Sequence, residues 1–151
     1  MEARMKNPAG YFPEAGKALY ALGNAIRDKG VPAETLQLVH LRTSQINGCA
    51  PCLEAGFASA RKDGESDQRL ATIPAWREAP YFTDAEKAAL GLAEAITRLS
   101  DRPDPVPDDV WNAAAEHYGE KELAVLVLWI ATTNTYNRLN VSTRQQPGSW
   151  S

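Results

Sequence analysis

No stretch of the 151-residue chain alternates apolar and polar residues for long enough to make a β-strand, whereas apolar residues return every three or four positions between proline and glycine breaks. That period is helical, and it restricts the chain to packing helix on helix. Ala15, Ala18, Leu19, Leu22, Ala25 and Ile26 mark a first amphipathic helix that Gly30 and Pro32 close. Over residues 33–46 the spacing of Leu36, Leu38 and Leu41 is ambiguous and Val39 breaks it, but length and the lack of a β-branched run favour a largely buried helix. Cys49, Cys52, Leu53, Gly56, Phe57 and Ala60 form the stripe of the next helix, which Asp63-Gly64 ends. A short helical piece at 66–73 leads into a proline-bounded connection at 74–80.

Thr83-Asp84-Ala85-Glu86 is a capping box, and Ala85, Ala88, Ala89, Leu92, Ala93, Ile96 and Leu99 behind it make the cleanest helical stripe in the chain. Three prolines mark 101–107 as a loop, and Asp108-Asp109 start a helix through Val110, Trp111, Ala114 and Tyr118 that Gly119 interrupts. Residues 120–137 are apolar nearly all round, as in a central helix or one buried against another subunit. Residues 140–151 have turn composition and are expected to fray or pack on a neighbour. The expectation is one all-α domain over residues 1–151, with six or seven helices between turn-rich tails.

Net charge is −3 with the signs interspersed, and no basic patch carries interleaved aromatics, which argues against a nucleic-acid partner. The most apolar run, residues 123–131, falls far short of the ~20 residues that span a bilayer. The N-terminal residues lack the apolar core of a signal peptide, so a soluble cytoplasmic protein with no membrane partner is expected.

The two cysteines lie together in Ser44-Gln45-Ile46-Asn47-Gly48-Cys49-Ala50-Pro51-Cys52. Asn-Gly punctuates a loop and the helical pattern resumes after Cys52, which puts both thiols at the first turn of a helix. Pro51 suits that turn, where its missing N–H has no partner to lose. Unsatisfied N–H groups and the positive end of the helix dipole favour a thiolate there, the form that attacks peroxides and disulfides. Three readings stand: a redox dithiol, favoured in a reducing compartment; an inert pair; or half of a zinc site completed by His40, His117 or carboxylates.

From Leu38-Val39-His40-Leu41-Arg42-Thr43 through Ser44 to Cys52 the sequence resembles the AhpD-like alkylhydroperoxidase and carboxymuconolactone decarboxylase superfamily. Ala60-Arg61-Lys62-Asp63-Gly64-Glu65 with Arg69-Leu70, Ala75-Trp76-Arg77-Glu78 with Phe82-Thr83, and Asn134-Thr135-Tyr136-Asn137-Arg138-Leu139 look like the same family, so no part of the chain is left for a second domain. The resemblance implies an AhpD-like helical domain that assembles into trimers, hexamers or related homo-oligomers, with the cysteines near subunit contacts. It implies a thiol-dependent peroxidase or disulfide reductase that needs no cofactor or metal. Carried over, Cys52 attacks a small organic hydroperoxide and becomes a sulfenic acid. Cys49 condenses with it to a disulfide and meets the external dithiol reductant.

The chain departs from the peroxidase pattern at two positions. Gln37 and Gly56 stand where those members carry the glutamate and histidine of a proton relay; an amide cannot take a proton and glycine offers nothing. Glycine inside a helix costs about 0.5–1 kcal/mol relative to alanine, so a facing helix, or else a ligand, is expected to approach Gly56 closely. His40 is a candidate replacement base against the simpler reading of a partly exposed helix histidine, and His117 suits a helix C-terminus. The pattern therefore points to a peroxidase of low efficiency. The alternatives are an enzyme like the decarboxylase branch, which uses no cysteine pair, and a non-catalytic oligomer that binds a ligand or senses redox state. Trp76, Trp111 and Trp129 are read as packing residues, and Glu116, Glu120 and Glu122 as partners of a helix dipole.

Overall fold

Helix α2 (Ala33–Asn47) is the element around which the others pack, touching α3 (Ala50–Lys62), α5 (Asp84–Thr97) and α7 (Glu120–Thr143). This arrangement comes from a computed structural model that describes residues 2–148. It also contains α1 (Pro13–Ala25), α4 (Asp67–Thr72), α6 (Asp108–Ala115) and three short 3-10 turns, with no strand among the described residues. The fold is all-α, and no described helix is long and apolar enough to cross a membrane.

Burial on two sides explains the broken pattern of α2. Leu36 and Val39 join a core with Ala89, Leu92 and Ala93 of α5 and Leu123, Leu126 and Ile130 of α7. Leu38 and Leu41 face a second core built with Ala60, Leu70, Ile73, Trp76, Phe82 and Leu90. A helix wedged between two cores has no clean amphipathic stripe to read. The Thr83 box forms as expected: Glu86 N–H donates to the Thr83 hydroxyl, and Thr83 N–H to the Glu86 carboxylate.

The first helix forms where its apolar stripe predicts; of that stripe Ile26 is covered and Leu19 half-covered in the protomer, while Leu22, Ala15 and Ala18 face outward. One reading of the chain needs correction. The last helix continues through Thr143, well past residue 137, and Asn140 and Thr143 are buried rather than frayed. The Thr143 hydroxyl donates to the Leu139 carbonyl, and Arg4 N–H caps the Thr143 carbonyl, so the N-terminal segment pins this end down. Residues 149–151 of the expected tail, with Trp150, lie outside the described residues.

A buried carboxylate ties α2, α5 and the proline-bounded connection together. Glu94 accepts from Arg42 Nε at 2.7 Å, Trp76 Nε1 at 2.9 Å and Arg77 Nη1 at 3.0 Å. Burial pushes its pKa up, but the bonds from Trp76, Arg42 and Arg77 outweigh that and leave it below the ordinary 4.5. A carboxyl held low contributes stability above its unfolded pKa and loses it as the pH falls through the folded value. Melting temperature should therefore drop as pH falls below 4.5, and Glu94→Gln should flatten that acid limb.

Candidate active site

The chain turns from α2 into α3 with a left-handed residue. Gly48 has φ 66°, a conformation that is strained for side chains with a Cβ, and it lets Cys49 N–H reach back to the Ser44 carbonyl at 3.0 Å. Cys49 is the extended N-cap of α3, Pro51 lies in the first turn, and Cys52 follows it. The cysteines therefore occupy the helix start as expected, joined in a disulfide with Cα atoms 5.3 Å apart. Cys49 is fully covered, whereas Cys52 keeps 7% of its surface.

Asn140 of α7 closes over the two sulfurs. Its Nδ2 lies 3.3 Å from Cys52 Sγ and 3.7 Å from Cys49 Sγ. It ends a buried polar seam in which Asn137 Nδ2 donates to the Ser44 hydroxyl at 3.0 Å and Asn47 Nδ2 donates to both Asn134 and Asn137 at 2.9 Å. The sequence reading missed this seam. Its signal is the spacing Asn134, Asn137, Asn140, which aligns three amides along one helix face.

The space over Gly56 is filled by an imidazole. A Cβ placed on Gly56 would stand 2.9 Å from His40 Cδ2 and 2.8 Å from Leu41 Cδ2. The facing helix is therefore what approaches Gly56, and it brings His40 with it. His40 Nε2–H donates to the Cys52 carbonyl oxygen at 3.2 Å. A carbonyl can only accept, so Nε2 carries the proton and Nδ1 keeps a free lone pair. Nδ1 has no hydrogen-bond partner among the described residues. Burial holds the imidazole below its ordinary 6.5, outweighing the Cys52 carbonyl, which raises it, so the ring is neutral at pH 7.

His40 and Gly56 line a cavity of about 430 Å³ with Leu36, Val31, Trp129 and Gln37. Trp129 is fixed there by its Nε1–H bond to the Leu36 carbonyl at 2.7 Å, its ring centroid 6.2 Å from that of His40. Gln37 Nε2 donates to Asp63 Oδ2 at 2.5 Å, so a carboxylate from the end of α3 is bound to the amide that stands in the relay glutamate's place. His117 is exposed at the end of α6 and belongs to other surface hollows. No group of three or more His, Cys, Asp or Glu is placed to hold a metal among the described residues. Glu122 caps the Gly119 N–H at 2.8 Å, the helix-start role expected of it.

An all-helical domain with a Cys-x-x-Cys pair at a helix start, backed by an imidazole, defines a class of dithiol protein. The family model for the carboxymuconolactone decarboxylase family matches residues 13–95, and the chain belongs to that family. It is 35% identical over 130 residues to the uncharacterized protein YdfG of Bacillus subtilis, covering 86% of this chain and 87% of that one. Among solved structures it is similar, with TM-score 0.89 and 35% identity over 97% of this chain and 98% of the other, to an Agrobacterium tumefaciens protein described as of unknown function and as a candidate AhpD antioxidant defence protein. The debrominase Bmp8 shares the fold at 20% identity, with TM-score 0.81 over 93% of this chain and 74% of that one.

Proposed function

We propose that the protein is a thiol-dependent peroxidase that reduces small organic hydroperoxides through Cys52 and Cys49. The observation that carries this reading is the neutral His40 imidazole seated over Gly56 and bonded to the Cys52 carbonyl, beside a dithiol at a helix start. In the reaction the Cys52 thiolate attacks the distal peroxide oxygen. An S–O bond forms, the O–O bond breaks, and the alkoxide leaves and is protonated to the alcohol. The Cys49 sulfur then attacks the sulfenic sulfur, an S–S bond forms, the S–O bond breaks, and the departing hydroxide takes the proton lost by the Cys49 thiol and leaves as water. An external dithiol supplies two electrons and two protons, is itself oxidised to a disulfide, and returns both cysteines to thiols.

We assign to the free Nδ1 lone pair of His40, whose Nε2–H is committed to the Cys52 carbonyl, the task of taking the proton lost by the thiol through intervening water and returning it to the alkoxide. The resemblance assigns the reductant to Cys49, but in the protomer Cys52 is the less covered residue of the two, and we assign the reductant's attack to Cys52 with Cys49 leaving. A homo-oligomer is part of the proposal, supported by the outward-facing Phe12, Tyr20 and Leu22 around α1. The test is the rate at which the reduced protein loses thiols to an organic hydroperoxide.

A further inference from the structure

We propose that Asn140 is a catalytic residue of this dithiol site, an N–H donor that holds the negative charge on the Cys52 sulfur, and that the N-terminal segment sets its orientation through Asn7. The proposal rests on the peroxidase reading of the same site. Asn140 touches the reacting atoms directly, with Nδ2 at 3.3 Å from Cys52 Sγ and 3.7 Å from Cys49 Sγ, and it is 2% exposed.

Which end of an amide faces a sulfur follows from the bonds around it. Here a backbone group decides. The Ala9 N–H can only donate, and it bonds Asn7 Oδ1 at 3.0 Å. Asn7 therefore presents its Nδ2 to Asn140, at 2.8 Å from Oδ1. With its oxygen held in this way, Asn140 must turn its NH₂ group to the sulfurs. Asn7 stands at the start of the 3-10 turn Pro8–Gly10, on the segment whose Arg4 N–H is tied to the Thr143 carbonyl. Three bonds thus run from the backbone of the N-terminal segment to the nucleophile.

The donor acts where charge develops. Attack on a hydroperoxide needs Cys52 as thiolate, and reduction by attack on Cys52 releases the Cys49 thiolate, which the same Nδ2 reaches at 3.7 Å, so the donor favours both half-reactions, the first more strongly. Around Cys52, α2 contributes the titratable His40, α3 the partner thiol Cys49, and α7 and the N-terminal segment the uncharged Asn140 and Asn7. The amide supplies a dipole without adding a second titrating group to the pair.

The experiment is the pH dependence of Cys52 alkylation by iodoacetamide in the reduced full-length protein, in wild type and in Asn140→Leu, Asn7→Asp and Asn7→Ala. Asn140→Leu is expected to raise the thiol pKa by about one unit and slow alkylation at neutral pH roughly tenfold, since a hydrogen bond to a charged group is worth about that much. Asn7→Asp offers only acceptors, so the Asn140 amide flips and puts its oxygen on the sulfurs; an equal or larger rise is expected. Asn7→Ala frees Asn140 without adding charge, and a smaller rise in the same direction is expected. Should Asn140→Leu fail to fold, the Asn7 pair at its half-exposed site carries the test. An unchanged pKa in folded Asn140→Leu, or a rise confined to the charged Asn7→Asp, overturns the proposal. The titration needs no turnover: wild-type protein inert to peroxide with the predicted pKa shifts sinks the peroxidase reading and leaves the Asn140 bond standing. Rapid peroxide oxidation with unmoved pKa values does the reverse.

Discussion

Cys52→Ser is expected to abolish oxidation of the reduced protein by an organic hydroperoxide, leaving only the slow background of a buried Cys49. A serine hydroxyl does not ionise near neutral pH, so neither the helix start nor Asn140 can turn it into a nucleophile. Cys49→Ser separates the two roles. With Cys52 intact, one equivalent of peroxide should still be consumed, but the product should be a sulfenic acid, trapped by dimedone and seen by mass spectrometry, with no disulfide. If Cys49→Ser blocks peroxide consumption and Cys52→Ser does not, the roles are reversed.

The second large effect concerns the imidazole. His40→Ala is expected to slow thiol oxidation at neutral pH by about 10²-fold, the lower range for a positioned acid–base group. The wild-type rate should fall as the pH drops through a value below the ordinary 6.5, because protonation of His40 removes the Nδ1 lone pair, and that limb should vanish in His40→Ala. The charged groups that share the cavity with His40 are Arg27 and Asp28 after α1 and Asp63 at the end of α3; α7 offers the uncharged Trp129. Gly56→His alone should destabilise the fold, since its Cβ would meet Leu41 and His40 at 2.8–2.9 Å. The double variant His40→Ala with Gly56→His relieves the His40 contact, keeps the Leu41 contact at 2.8 Å, and moves the imidazole from α2 to α3; the folded variant should recover part of the rate. A double variant as slow as His40→Ala would show that the ring serves only to pack against α3.

These two results turn on features that the sequence exposes unequally. The position of the thiols was legible, because Asn-Gly before a helical pattern forces a turn and Gly48 takes the left-handed φ that closes α2. Gly56 was legible as a close approach. That the approaching atoms are those of His40 was not, since contact between α2 and α3 depends on a crossing geometry that helical periodicity leaves open. Asn140 was hidden for a different reason. Asparagine and threonine near a chain end read as turn residues, but here Asn134 and Asn137 find partners in Asn47 and Ser44 of α2, Asn140 finds them in Asn7 and the two sulfurs, and the helix continues through them. The stripe on α1 was legible as a pattern, but periodicity tells which face is apolar and not what covers it.

The central claim, that a helix start, a relocated imidazole and an asparagine amide activate Cys52, is tested most directly by one rate constant. Reduced wild-type protein is mixed with cumene hydroperoxide at pH 7 and thiol loss is followed by mass spectrometry beside free cysteine. The account predicts oxidation of Cys52 at least about tenfold faster than free cysteine, as expected for a thiol whose pKa is lowered from about 8.5, with one disulfide formed per peroxide consumed. Oxidation no faster than that of free cysteine would contradict it.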